Sequence, residues 1–173
     1  MAVVLRGMRI DDADGLGAVH VRSWQAAYRE LMPADYLASL SVEERAAMWR
    51  ERLAADAPPG VHRMVAESGS RIIGFVLAGP AMGSEEEPPL GQLYAVYVDP
   101  DHWDTGVGLV LFSAGVDALS EDGFETAVLW VHRGNDPARS FYEAHGWAAD
   151  GAEHTEELFG IVVPEVRYRK SLS

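Results

Sequence analysis

The apolar positions change their spacing from one stretch of the chain to the next, and each change predicts an element. Val3 to Ile10 is a short apolar run that predicts a first strand. From Asp11 the spacing turns helical: Leu16, Val19, Trp24, Ala27 and Leu31 return on one face until Pro33. Ser41-Val42-Glu43-Glu44 has the form of a capping box and opens a second helix. That helix carries Val42, Ala46, Trp49 and Leu53 on one side and ends at Ala57-Pro58-Pro59-Gly60. His62–Glu67 and Arg71–Gly79 flank Ser68-Gly69-Ser70 as a hairpin. Leu90–Val98 predicts a strand stopped by Asp99-Pro100, and Gly106–Ser120 a helix with Leu109, Phe112, Val116 and Leu119 on its apolar face. Thr126–Val131 reads as a buried strand. Asp136-Pro137 reads as the cap and first residue of a short helix to His145, and Val162–Lys170 as a terminal strand.

The predicted order is one strand, two helices, three strands, helix, strand, helix, and one or two strands. It has no internal repeat and no long linker. This is an α/β (α+β mixed) pattern, a mixed sheet covered by helices, and the 173 residues suit a single domain spanning 1–173.

Composition narrows the chemistry. Fourteen Lys and Arg against 27 Asp and Glu leave a formal net charge of −13. That field repels phosphate backbones and anionic membranes, so nucleic acid and membrane partners are not expected, and it favours cationic amines. The chain has no cysteine, so thiolate nucleophiles, disulfides and Cys-based zinc sites are excluded. No stretch of about 18 apolar residues stands in the sequence, and no secretory segment; the expected compartment is the cytoplasm. Glu85-Glu86-Glu87 invites a metal reading, but like charges in a polar loop are ordinarily just solvated. His62, His102, His145 and His154 lack metal-ligand spacing, and no metal is assigned.

The informative stretch is Tyr94-Ala95-Val96-Tyr97-Val98-Asp99-Pro100 followed by Gly106-Val107-Gly108 at a helix start. A strand, a glycine-bearing loop and a helix N-terminus together form an anion site, although Gly-x-Gly alone is equally a tight turn. Leu111 occupies the third glycine position of a dinucleotide fingerprint, and Gly-Lys-Ser/Thr is absent, so neither of those nucleotide motifs fits. Downstream stands Asn135-Asp136-Pro137-Ala138-Arg139-Ser140-Phe141-Tyr142-Glu143-Ala144-His145-Gly146-Trp147.

Together these signatures resemble the GNAT superfamily of acyl-CoA-dependent N-acetyltransferases. The pyrophosphate loop falls at positions 103–108, and the element order matches from Val3 to Lys170. The resemblance implies a splayed mixed β-sheet of six to seven strands flanked by about four helices. It also implies acetyl-CoA as co-substrate and transfer to a primary amine of a small molecule or peptide.

By the same resemblance, Val96 and Val98 would pair with the pantetheine arm, and amides of Trp103, Asp104, Thr105, Gly106, Val107, Gly108 and Leu109 would hold the pyrophosphate. Asn135 would meet the cofactor at the splay, Arg139 its phosphates or adenine. Tyr142 would protonate the departing thiolate; otherwise it is a buried aromatic beside Phe141. Two positions depart from the family pattern. Trp103 stands where Arg or Gln is usual, and Asp104 where glycine is common; a carboxylate there costs about 1 kcal/mol near a phosphate unless it turns outward. Gln92 occupies the place of a glutamate base and can only orient a water; Glu67, Tyr97 and His132 are other base candidates. Trp24 and Tyr28, four apart on one helix face, are either a wall of the acceptor cleft or core. Gln92 and Tyr97 join them as candidate substrate contacts.

Without a cysteine, direct attack in a ternary complex is favoured over a covalent acetyl-enzyme. Trp103, Asp104 and Gln92 motivate an alternative, a CoA-binding or ligand-sensing protein without turnover. A homodimer through a sheet edge is a further expectation.

Overall fold

The computed structural model describes residues 2–173. These form β1 (Val3–Gly7), α1 (Ala13–Ala27), α2 (Ala34–Ala38), α3 (Val42–Ala54), β2 (His62–Ser68), β3 (Arg71–Pro80), β4 (Gly91–Val98), α4 (Val107–Glu121), β5 (Thr126–His132), α5 (Asp136–Ala144), β6 (Ala148–Leu158) and β7 (Ile161–Ser171). The strands make one seven-stranded sheet in the order β1-β2-β3-β4-β5-β7-β6. Every neighbouring pair is antiparallel except β4 and β5, which run parallel.

Helices cover both faces. Leu111, Phe112 and Leu119 of α4 pack on Val76, Ala78 and Leu93. On the other face Leu16 and Val19 of α1, with Trp49 of α3, pack on Val65 and Phe75. Each such side chain taken fully from water contributes about 1.5–3 kcal/mol. The neighbours Ile72 and Ile73 on β3 point to opposite faces of the sheet, and because helices cover both faces, both are buried. Helices α1 and α3 touch almost backbone to backbone, because a Cβ on Gly17 would lie 2.7 Å from the Ala46 nitrogen.

Local chemistry moves several predicted boundaries. The first strand stops at Gly7 rather than Ile10. There the Asp12 carboxylate accepts from the Arg9 amide at 2.7 Å and from Arg6 at 2.8 and 2.9 Å, folding Ile10–Asp12 into a 3-10 turn. Five helices form instead of four, since the chain after Pro33 makes the five-residue α2. Ser41 Oγ accepts from the Glu44 amide as expected, but the Ser41 hydroxyl donates to Glu43 instead of Glu44 reaching back. Helix α5 is capped by Asn135, whose Oδ1 accepts from the Ala138 amide at 3.3 Å; Asp136 is already helical. Strand β6 is largely exposed and polar, so no apolar alternation announces it.

The feature that positions the site is a fork in the sheet. Strands β4 and β5 are partners only from Gly91/Ala127 to Leu93/Leu129. Beyond Leu93 a bulge at Tyr94 keeps β4 with β3, and β5 stays with β7, so Tyr94–Val98 and Trp130–His132 diverge. Among the described residues no helix is long and apolar enough to cross a membrane.

Candidate active site

The fork opens into a cleft of about 710 Å³. One arm is β4. The Asp99 amide donates to Ile73 at 2.8 Å, and antiparallel alternation therefore turns the backbone groups of Val98 and Val96 away from β3, toward the opening. The Val98 carbonyl already accepts from the Trp103 indole at 2.8 Å, which pins that ring at the cleft wall. Asp99 itself is buried and holds Arg22 of α1 at 2.9 Å and Arg71 at 3.2 Å, fastening the loop that follows β4.

That loop delivers the start of α4 to the end of β4. Asp104 is exposed with φ 60, a left-handed conformation that Asp tolerates better than most residues, and Gly106 has φ 90. The unusual Asp104 thus fills a glycine-like backbone position with its carboxylate facing water. Among the described residues the amides of Val107, Gly108 and Leu109 meet no acceptor; the first helical bond is from Val110 to Gly106. Alone among the five helices of the described residues, α4 has no acidic residue in its first turn. Its positive end is therefore uncompensated.

Tyr142 of α5 reaches the cleft between the two arms. Its ring stacks on Phe112 at 5.7 Å, and its hydroxyl has no protein partner among the described residues. Burial raises its pKa above the ordinary tyrosine value, with a further push from Tyr97, so the phenol stays a proton donor.

The other end of the cleft is aromatic. Tyr97 stacks on His20 at 5.6 Å, Trp24 meets Tyr28 edge-on at 5.1 Å, and Phe159 packs on His20 at 5.3 Å. Burial, then the charges of Arg45 and Arg52, lower the His20 pKa to about 3, and burial pushes Tyr97 up to about 12. Gln92 sits at the vertex, where its Oε1 accepts from the Met82 amide at 3.1 Å.

This chain matches the Acetyltransferase (GNAT) family over residues 24–147. It belongs to that family. The N-acetyltransferase YuaI of Bacillus subtilis (strain 168) is 34% identical over 164 residues, covering 95% of this chain and 90% of that protein. A mycothiol acetyltransferase of Kocuria rhizophila is 36% identical over 77 residues, 44% of this chain but only 25% of that protein. The crystal structure of PaiA N-acetyltransferase from Thermoplasma acidophilum, in complex with coenzyme A, superposes with a TM-score of 0.72 at 21% identity, covering 99% of both chains. A GCN5-related N-acetyltransferase from Rhodopseudomonas palustris gives 0.75 at 20% identity, covering 99% and 97%. Those two likenesses bear on the fold.

In this N-acetyltransferase the expected residues divide. Val96, Val98, Trp103, Asn135, Tyr142, Trp24, Tyr28, Gln92 and Tyr97 all line the one cleft. Asp104 to Leu109 lie outside that lining, at the α4 end, where Gly108 abuts Val98. Arg139 is not brought to the cleft: its Nε donates to Tyr168 at 3.0 Å and its Nη1 to the Arg133 carbonyl at 2.7 Å. Asn135 also spends its side-chain oxygen on the α5 cap. Sequence reading weighed His154 only as a histidine without metal-ligand spacing and did not name Glu156 or Glu165; the three come together at the cleft with side-chain N and O atoms within 4.8 Å of one another. They stand on two strands joined by a hairpin, and only the strand register reveals the grouping.

Proposed function

We propose that this enzyme transfers the acetyl group of acetyl-CoA to a primary amine, by direct attack within a ternary complex. The single observation that carries the reading is the fork between β4 and β5, with the open α4 amides at its outer end and the Tyr142 phenol inside. The pyrophosphate would lie on the amides of Val107, Gly108 and Leu109, where the helix dipole stabilises negative charge. The pantetheine amides would pair with the outward groups of Val96 and the Val98 amide, since the Val98 carbonyl serves Trp103.

The amine would enter past Trp24, Tyr28 and Tyr97 and attack the thioester carbonyl. The C–N bond forms and the C–S bond breaks, and Tyr142 donates its proton to the sulfur as charge gathers there. The phenolate regains a proton from the substituted nitrogen. A held phenol favours a strong, charge-assisted hydrogen bond to the leaving thiolate before full transfer. The acceptor is read as a small-molecule or peptide amine, and residues 1–173 as one domain.

The test is Tyr142→Phe, followed by thiol release. Turnover is expected to fall about 100-fold with acetyl-CoA affinity unchanged within about twofold. Undiminished turnover would remove Tyr142 from the mechanism. Tight acetyl-CoA binding by the wild type with no turnover of any amine would favour a ligand-sensing role, which the Trp103–Val98 contact also suits.

A further inference from the structure

Three strands bring a titratable side chain to the same level of the sheet. His132 on β5 is the register partner of Glu165 on β7, and Glu165 is the register partner of His154 on β6. Partners directly opposite in an antiparallel ladder point to the same face, so His132, Glu165 and His154 form a row. Glu156 shares that face, two residues beyond His154. The His154 ring lies flat on Trp130 at 3.6 Å, and its Nε2 is 2.9 Å from Glu165 Oε1 and 3.8 Å from Glu156 Oε2.

The row holds two carboxylates and no fixed cation. Among the described residues no Arg or Lys pairs with Glu156 or Glu165; Arg133 meets Glu153, and Arg167 meets Glu86 and Asp150. The other groups facing Glu165 are Tyr28 just after α1, Tyr97 of β4 and His132 of β5, none of them cationic at neutral pH. Burial pushes the Glu165 pKa up, the His154 contact opposes this, and Glu156 adds to it. Across the same cleft, His20 Nδ1 and Trp24 Nε1 are buried with no hydrogen-bond partner among the described residues, in residues only 6% and 2% exposed. Buried polar atoms left open on one wall, across the cleft from carboxylates that meet only a histidine on the other, point to a polar ligand between them.

We propose that Glu165, held by His154 and backed by Glu156, anchors the ammonium group of an acceptor with an aromatic or apolar stem and takes its first proton. This rests on the acetyl-transfer reading. The stem would lie among Trp24, Tyr28, Tyr97 and Phe159. The ammonium N–H bond breaks and its proton goes to the Glu165 carboxylate, leaving a neutral amine whose lone pair forms the C–N bond. Glu165 later returns that proton to solvent, so the reaction releases one proton per acetyl group moved from ammonium and thioester to amide and thiol. The carboxylate that Gln92 lacks is thereby supplied from β7, beside the β5 arm of the fork.

The experiment is calorimetric titration at pH 7 with 2-phenylethylammonium and with its neutral isostere 2-phenylethanol, on the wild type, Glu165→Gln and His154→Gln, with acetyl-CoA titrated in parallel. The wild type is expected to prefer the ammonium by at least about tenfold. Glu165→Gln should erase that preference while acetyl-CoA affinity stays within about twofold, and His154→Gln, which keeps the carboxylate, should weaken it only partly. A preference that survives in Glu165→Gln, or a wild type that takes both probes equally or takes neither, would overturn the proposal. An intact ammonium preference with no acetyl-CoA binding would uphold this site and overturn acetyl transfer instead. For the proton step, turnover of 2-phenylethylamine by Glu165→Gln should fall about 100-fold at pH 7 and recover as the pH approaches the amine's own pKa, about 10. Parallel pH profiles for the two proteins would remove Glu165 as the base.

Discussion

Tyr142 and His20 face the same cleft and are both kept neutral by burial, with opposite consequences. Burial holds the phenol's pKa above the ordinary tyrosine value, so loss of turnover on Tyr142→Phe should be nearly independent of pH between 6 and 9. His20 is a different case, because its neutral form is the price of burying an imidazole. With the folded pKa near 3 and the unfolded value 6.5, the unfolded chain binds the extra proton throughout that window. Stability therefore falls as the pH drops from 6.5 toward 3, by up to about 1.4 kcal/mol per unit. Urea unfolding measured at pH 7, 6, 5 and 4 should show this slope, and His20→Phe, which keeps a ring against Tyr97, should flatten it. An unchanged slope in that variant would locate the titration elsewhere.

At the scale of elements, the start of α4 makes a prediction with two signs. Leu109 is 41% exposed in the first turn, so Leu109→Glu is accommodated without repacking. A carboxylate there should stabilise the free protein by about 0.5 kcal/mol through the helix dipole. It should also weaken acetyl-CoA by roughly tenfold at low salt, with recovery as salt is added. Stability and affinity moving in the same direction would contradict an anion site at this helix end.

The helix start was readable from Gly106-Val107-Gly108, because a glycine at a positive φ and a missing acid are local properties of the chain. The aromatic pair Trp24 and Tyr28 was readable from its four-residue spacing, whereas Tyr142 came from the family resemblance of the Asn135–Trp147 stretch. The α5 cap was misread by one residue, since Asn135 and Asp136 are both good caps and only the chain's path selects between them. Strand β6 and the row His132, Glu165, His154 were not readable. Their proximity depends on β7 inserting between β5 and β6, a matter of sheet order that no local spacing carries.

For the whole molecule, the two helical layers and the forked sheet are one mechanical unit, so packing remote from the cleft should set its shape. Gly17→Val would force α1 from α3, because even a Cβ there falls 2.7 Å from backbone. Overpacking of this kind costs about 1–3 kcal/mol, read as a lower urea midpoint. It should also weaken acceptor binding more than acetyl-CoA binding, since α1 carries Trp24 and the α4 N-terminus packs on the opposite face of the sheet. At acid pH a second effect joins that of His20. Burial works against ionised Asp12 and Asp150, but Arg6 and the Arg9 amide at one, and the Ala152 amide with Arg167 and Arg169 at the other, more than offset it, and both pKa values lie below 3.8. Their stabilisation is complete above that value and is lost as the pH falls through the lowered ones.

The central claim is that the fork and the α4 N-terminus form a site for acetyl-CoA. Calorimetric titration of the folded wild type with acetyl-CoA, with a nicotinamide dinucleotide as control, tests it most directly. Saturable binding of one acetyl-CoA per chain, weakened by Leu109→Glu and absent for the dinucleotide, is the predicted result. No heat of binding from a cooperatively folded sample, or equal binding of both nucleotides, would contradict it.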